Sequence, residues 1–139
     1  MRIVLDTNVL IAAYIARSGG CAALYEHIAA AHTIVSSEPL LEEFRNKLVS
    51  VPLLNFPIGL ATIAADVVRQ RIEIVTATPL EQPVCRDPDD DVVLATALVG
   101  RCACIVTMDK DLLMLQVFSG IPILHPRDFW AFEAGKPTS

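Results

Sequence analysis

No apolar stretch in this chain is long enough to cross a bilayer: Val9 to Ala16 and Val92 to Val99, the longest, fall well short of the ~18 residues a spanning helix needs. No secretory leader is expected either, because Ile3-Val4-Leu5 is broken at once by Asp6 and Asn8. The expectation is a cytoplasmic protein with no membrane association. Positive charge is scarce too, with 11 basic against 16 acidic residues and a net charge of −5, which excludes a protein that grips nucleic acid by bulk electrostatics. Any phosphate-bearing ligand must be met locally.

Zinc-finger spacing is absent as well. Cys102-Ala103-Cys104 has no second pair nearby, Cys21 and Cys85 stand apart, and His27, His32 and His125 are scattered along the sequence, so metal-thiolate chemistry is set aside. The four cysteines read as buried free thiols. There is no internal repeat, low-complexity tract or long linker to divide the chain.

Apolar types make up 53% of the 139 residues, enough to build one core and too much for a disordered chain. A single domain over residues 1–134 with a tail at 135–139 is expected. So high an apolar fraction fits either a surface partly covered by another chain or an exceptionally apolar core. Short apolar runs alternate with helical patterns. Strands are expected at Arg2–Leu5, Thr33–Ser36, Ile72–Val75, Ala103–Val106 and Ile121–Leu124. Between them lie helices from Val9 to Ile15, Cys21 to Ala31, Glu38 to about Val49 with Ser37 as cap, Ile58 to Arg71, Pro88 to about Val99 with Asp87 as cap, a short turn from Lys110 to Leu115, and a terminal helix from Pro126 to Phe132. Continuous apolar strands alternating with helices indicate a three-layer α/β/α sandwich around a parallel sheet of about five strands.

In such a sheet, ligands bind beyond the carboxyl ends of the strands. Asp6 follows the first strand and Asp109 the fourth, while Asp87, Asp89, Asp90 and Asp91 open the helix leading into that fourth strand. Carboxylates gathered at one rim repel unless they share a proton or a cation, and oxygen-only donors select Mg²⁺ or Mn²⁺. Thr7, Asn8 and Thr107 could orient such ligands or their waters. Each acid also has a plainer role. Asp6 can cap the helix after it, and Asp87, Asp89 and Asp90 can serve the helix dipole. Asp91 shares a face with Leu94, Ala95 and Leu98, so it is expected at the core edge. On the helix after the second strand, Glu43 lies closer than Glu42 to the Leu40/Leu41/Phe44/Leu48 stripe, although a Glu43–Lys47 surface pair also fits.

Taken together, Asp6-Thr7-Asn8 after a first strand, Glu43 on a following helix, Asp87-Pro-Asp-Asp-Asp91 before an Ala-rich helix and Thr107-Met-Asp109 after a late strand resemble the PIN domain. Within that family the chain resembles the bacterial and archaeal VapC-like toxins of toxin-antitoxin systems, and the likeness runs from Arg2 to about Phe132. The resemblance implies a metal-dependent ribonuclease with Asp6, Glu43, Asp91 and Asp109 as its acidic residues, of which Asp6, Asp91 and Asp109 hold the metal. Asn8 and Thr107 would support them, Asp90 could fill the slot given to Asp91, and Asp111 would be an extra ligand. It further implies a homodimer and a cognate antitoxin. Water would be the nucleophile, and Arg17, Arg45, Arg86 and Lys110 are candidates for touching the RNA backbone. A haloacid-dehalogenase-like phosphatase would need an acid where Asn8 stands, and a receiver domain would need one after Val75, where Thr-Ala-Thr follows. An inactive PIN-like scaffold that binds RNA or a protein partner is the alternative.

Overall fold

A computed structural model describes residues 1–16 and 20–135, so Arg17, Gly19 and the tail from 136 to 139 lie outside the described residues. Six strands form one mostly parallel sheet in the order β3-β2-β1-β4-β6-β5: β1 Arg2–Leu5, β2 Thr33–Ser36, β3 Ile72–Ile74, β4 Cys104–Val106, β5 Val117–Phe118 and β6 Ile121–Leu124. Around them lie α1 Thr7–Leu10, which continues as a π-helical stretch over Ile11–Ala16, then α2 Cys21–Ala31, α3 Glu38–Ser50, α4 Ile58–Arg69, α5 Pro88–Val99, α6 Lys110–Leu115, a 3₁₀ turn Pro126–Asp128 and α7 Phe129–Glu133.

Residues of a strand alternate between faces, and the core divides accordingly. Ile3 and Leu5 of β1, Ile34 of β2 and Cys104 and Val106 of β4 join one cluster with α1, α2, α3, α4 and α7. Val4, Val35 and Ile105 point the other way, onto Val93, Leu94 and Ala97 of α5 and Leu112 of α6. The result is a three-layer sandwich with both sheet faces covered, which explains why the inner strands read as unbroken apolar runs. No helix among the described residues is long and apolar enough to cross a membrane.

Three local features depart from the sequence expectation. The sixth strand, β5, pairs antiparallel with β6 through Phe118↔Ile121, leaving Ser119 and Gly120 as a two-residue loop. Both have positive φ, 48° and 80°, as the tight primed turn of a hairpin requires. Ser37 occupies the cap position of α3, but its hydroxyl makes no capping bond. It pairs instead with Thr96 Oγ1 at 2.8 Å, and because Thr96 donates its own proton to Val92 O, Ser37 is the donor. The helix after β1 widens into a π segment, a change of pitch that apolar periodicity does not reveal.

Candidate active site

Parallel pairing sets Leu5 opposite Val106, so the residues that follow, Asp6 and Thr107, emerge side by side at the carboxyl edge of the sheet. Asp6 is 6% exposed. Its Oδ1 accepts the Thr7 amide at 2.7 Å, and its Oδ2 accepts the Thr107 hydroxyl at 2.7 Å. Burial pushes its pKa up, while these two donors and the Lys47 charge oppose the rise and the Asp109 charge adds to it. Asp6 thus caps α1 and also anchors the rim, so its plain and functional roles coexist.

Thr107 continues the chain of contacts by accepting the Asp109 amide at 3.0 Å. Asp109 caps α6, with Oδ1 receiving the amides of Asp111 at 2.8 Å and Leu112 at 3.2 Å. On the other side of Asp6, the Thr7 hydroxyl donates to Glu43 Oε2 at 3.0 Å. Lys47 lies 3.3 Å from Glu43 Oε1 and donates to Asn8 Oδ1 at 3.0 Å. Glu43 therefore joins the rim through Thr7 and also forms its surface pair, whereas Glu42 faces outward against Arg45.

The block that opens α5 divides by face. Asp87 caps the helix by accepting the Asp89 amide at 2.9 Å, and both residues are exposed. Asp90 is 8% exposed, and its carboxylate has no protein hydrogen bond or ion pair among the described residues. Burial, followed by the charges of Asp109, Asp87, Asp6 and Asp111, pushes its pKa up to about 7. Carboxylate oxygens of Asp90, Asp109 and Asp111 all lie within 4.8 Å of one another. Asp111 is in addition contacted by Arg86 at 2.8 Å and 2.9 Å.

Asp91, expected as the third acid, is directed elsewhere. Its carboxylate accepts the Cys85 amide at 2.8 Å and the Val84 amide at 3.1 Å, pinning the loop that precedes α5. The reason is visible in helical spacing. Positions 3, 4 and 7 residues beyond Asp90 are Val93, Leu94 and Ala97, all buried, whereas Leu98 on the Asp91 face is 45% exposed. Counting those positions for both acids would have found the inward one. Of the candidate cations, Arg45 and Arg86 are engaged by Glu42 and Asp111, while Lys110 is exposed immediately beyond Asp109.

The donor set suits a hard divalent cation. All its atoms are oxygens, the carboxylates crowd one another, and the buried Asp90 has no protein donor to compensate its charge among the described residues.

The acidic rim on an α/β/α sheet agrees with the comparison to known families. The PIN domain family model matches residues 2–111, and the chain belongs to that family. Its fold is shared with solved structures of low sequence identity. VapBC2 from Rickettsia felis, bound to a DNA fragment from its promoter, aligns with a TM-score of 0.64 at 16% identity, covering 90% of this chain and 98% of that one. VapBC-1 from nontypeable Haemophilus influenzae aligns at 0.58 and 16% identity, covering 91% and 99%. Mycobacterium tuberculosis VapC20, a sarcin-ricin loop cleaving toxin, aligns at 0.55 and 18% identity, covering 86% and 98%. No curated protein matches the sequence.

Proposed function

We propose that the chain is a Mg²⁺- or Mn²⁺-dependent ribonuclease that hydrolyses RNA phosphodiester bonds, and that it is the toxin of a toxin-antitoxin pair. The observation that carries this reading is Asp90: a buried carboxylate facing Asp6, Asp109 and Asp111 with no protein donor among the described residues. Asp6, Asp90, Asp109 and Asp111 would hold the ion, which when bound supplies a Lewis acid toward the phosphate and a water of lowered pKa. The third ligand in this reading is Asp90, with Asp91 serving the loop before α5.

The remaining residues have definable work. Thr107 donates to Asp6 and keeps one carboxylate oxygen oriented, and Thr7 ties Asp6 to Glu43. Glu43 is then a positioning residue at the edge of the rim, paired with Lys47, which itself donates to Asn8. Lys110 offers its charge to the RNA backbone. The groups gathered there, Asp90, Asp109 and Asp111, are carboxylates that suit holding a cation, and in this reading water is the attacking nucleophile.

A cognate antitoxin is supported by the likeness to structures named VapBC. RNA as substrate is supported by family membership and by the likeness to a sarcin-ricin loop cleaving toxin. Pairing as a homodimer is supported by exposed Leu60, Ile63 and Val67 along α4. The deciding experiment incubates the pure protein with labelled RNA in Mg²⁺ and in EDTA, beside Asp6→Asn and Asp90→Asn. Metal-dependent cleavage lost in both variants is expected. Cleavage equal in all three proteins, or independent of EDTA, would defeat the reading.

A further inference from the structure

At the opposite edge of the sheet from the acidic rim, the fold brings together two histidines and a glutamate that are far apart in the sequence. His27 lies on α2, His32 is the residue that ends α2 just before β2 begins, and Glu133 closes α7. His27 Nε2 lies 2.6 Å and His32 Nε2 2.5 Å from the same atom, Glu133 Oε2. One donor atom from each residue falls within 4.8 Å of the others.

We propose that His27, His32 and Glu133 form a second metal site, for a divalent transition ion of the Zn²⁺ class, that ties α7 to α2. Two imidazole nitrogens and one carboxylate oxygen form a donor set known for zinc, and imidazole favours that class over the Mg²⁺ expected among oxygens alone. Both rings are already held in place. His27 packs against Trp130 with centroids 4.8 Å apart, and His32 meets the edge of Phe129 at 6.0 Å. The His27 and His32 side chains are 35% and 13% exposed, so an ion can enter from solvent while the site remains partly shielded.

The chemistry balances. Without metal, a carboxylate oxygen can only accept, so each Nε2 carries the ring proton and donates it to Glu133. With metal, each Nε2 lone pair binds the ion and the ring proton moves to Nδ1; on His32 that atom accepts from the Met1 ammonium at 2.9 Å in the metal-free form, so this contact opens and the ammonium turns to solvent. At Zn–N distances of about 2.0–2.1 Å, tetrahedral ligand atoms sit about 3.3 Å apart, so each imidazole nitrogen needs to part from Glu133 Oε2 by less than about 1 Å. The remaining position is open to water. This inference is independent of the nuclease reading.

Trp130 is the only tryptophan of the chain, and its contact with His27 makes it a local reporter. The test titrates the full-length protein with Co²⁺ while following tryptophan fluorescence and visible absorption, then displaces Co²⁺ with Zn²⁺. The expected result is quenching at one equivalent, reversal by Zn²⁺, and visible bands without thiolate charge transfer. His27→Gln, His32→Gln and Glu133→Gln should each weaken binding by about tenfold or more, since loss even of an outer contact costs 10–100-fold. Asp109→Asn should quench like the unaltered chain. Circular dichroism establishes that each variant is folded, and the substitutions lie on two separate elements, so one misfolded variant does not remove the test. No quenching in the unaltered protein, thiolate bands, or quenching that survives His27→Gln and Glu133→Gln but is lost in Asp109→Asn would overturn the proposal.

Discussion

The Thr107 hydroxyl donates to Asp6 Oδ2 at 2.7 Å while accepting the Asp109 amide at 3.0 Å, so a single side chain connects the ends of β1 and β4. Thr107→Val keeps the shape and removes both contacts, leaving buried Asp6 one donor short. The expected cost is about 1–3 kcal/mol. Urea denaturation measures it, and a midpoint unchanged from the parent protein would show that the bond contributes nothing.

Asp90 and Asp91 are neighbours in sequence with opposite directions in space. Asp90→Asn should lower metal-dependent RNA cleavage by about a hundredfold, the upper end of what loss of one metal-orienting group costs. Asp91→Asn should retain most of the activity and instead loosen the backbone at Val84 and Cys85, which its carboxylate receives. Hydrogen exchange at those two amides, read beside the cleavage rates, separates the roles. The reverse ranking of the two variants would restore Asp91 as ligand.

The Asp90 carboxyl, pushed up to about 7, stays protonated in the folded chain where an unfolded aspartate, at about 3.9, has already ionised. Between those values the folded state binds the extra proton, so in EDTA the stability due to this group is full below about pH 4 and falls as pH rises through about 7. Asp6, also raised by burial, acts in the same direction. Denaturation midpoints across that range should decline for the parent and decline less for Asp90→Asn. Adding Mg²⁺ at pH 8 should recover more stability in the parent than in the variant. Parallel profiles in the two proteins would contradict the assignment.

Gly100 ends α5 at a close approach of backbone to sheet. A Cβ there would stand 2.8 Å from Val35 Cγ1, 3.0 Å from Thr96 O and 3.1 Å from Cys102 Sγ. Its φ of −73° is ordinary, so the objection is crowding and not backbone strain. Gly100→Ala should destabilise the chain by about 1–3 kcal/mol, checked by thermal melting. A neutral result would mean that the Val35 side chain rotates away freely.

Local signals along the chain determined much of this protein: five of its strands, the caps at Asp6 and Asp87, and the rim that collects acids after β1 and β4. These depend on near-neighbour effects such as apolar periodicity, helix capping and the placement of ligand sites beyond parallel strands. Glu43 was legible as the inward member of its pair because helical spacing against an apolar stripe suffices.

Tertiary structure alone decided which atoms meet. Asp90 turns inward and Asp91 outward because one lies on the Val93/Leu94/Ala97 face and the other is captured by amides of the preceding loop. Ser37 forgoes its capping bond because Thr96 comes within reach across α3 and α5. His27 and His32, scattered by sequence, converge on Glu133 because α7 packs back against the end of α2. In each case the deciding partner lies many residues away, and loop closure and packing, not local propensity, bring it there.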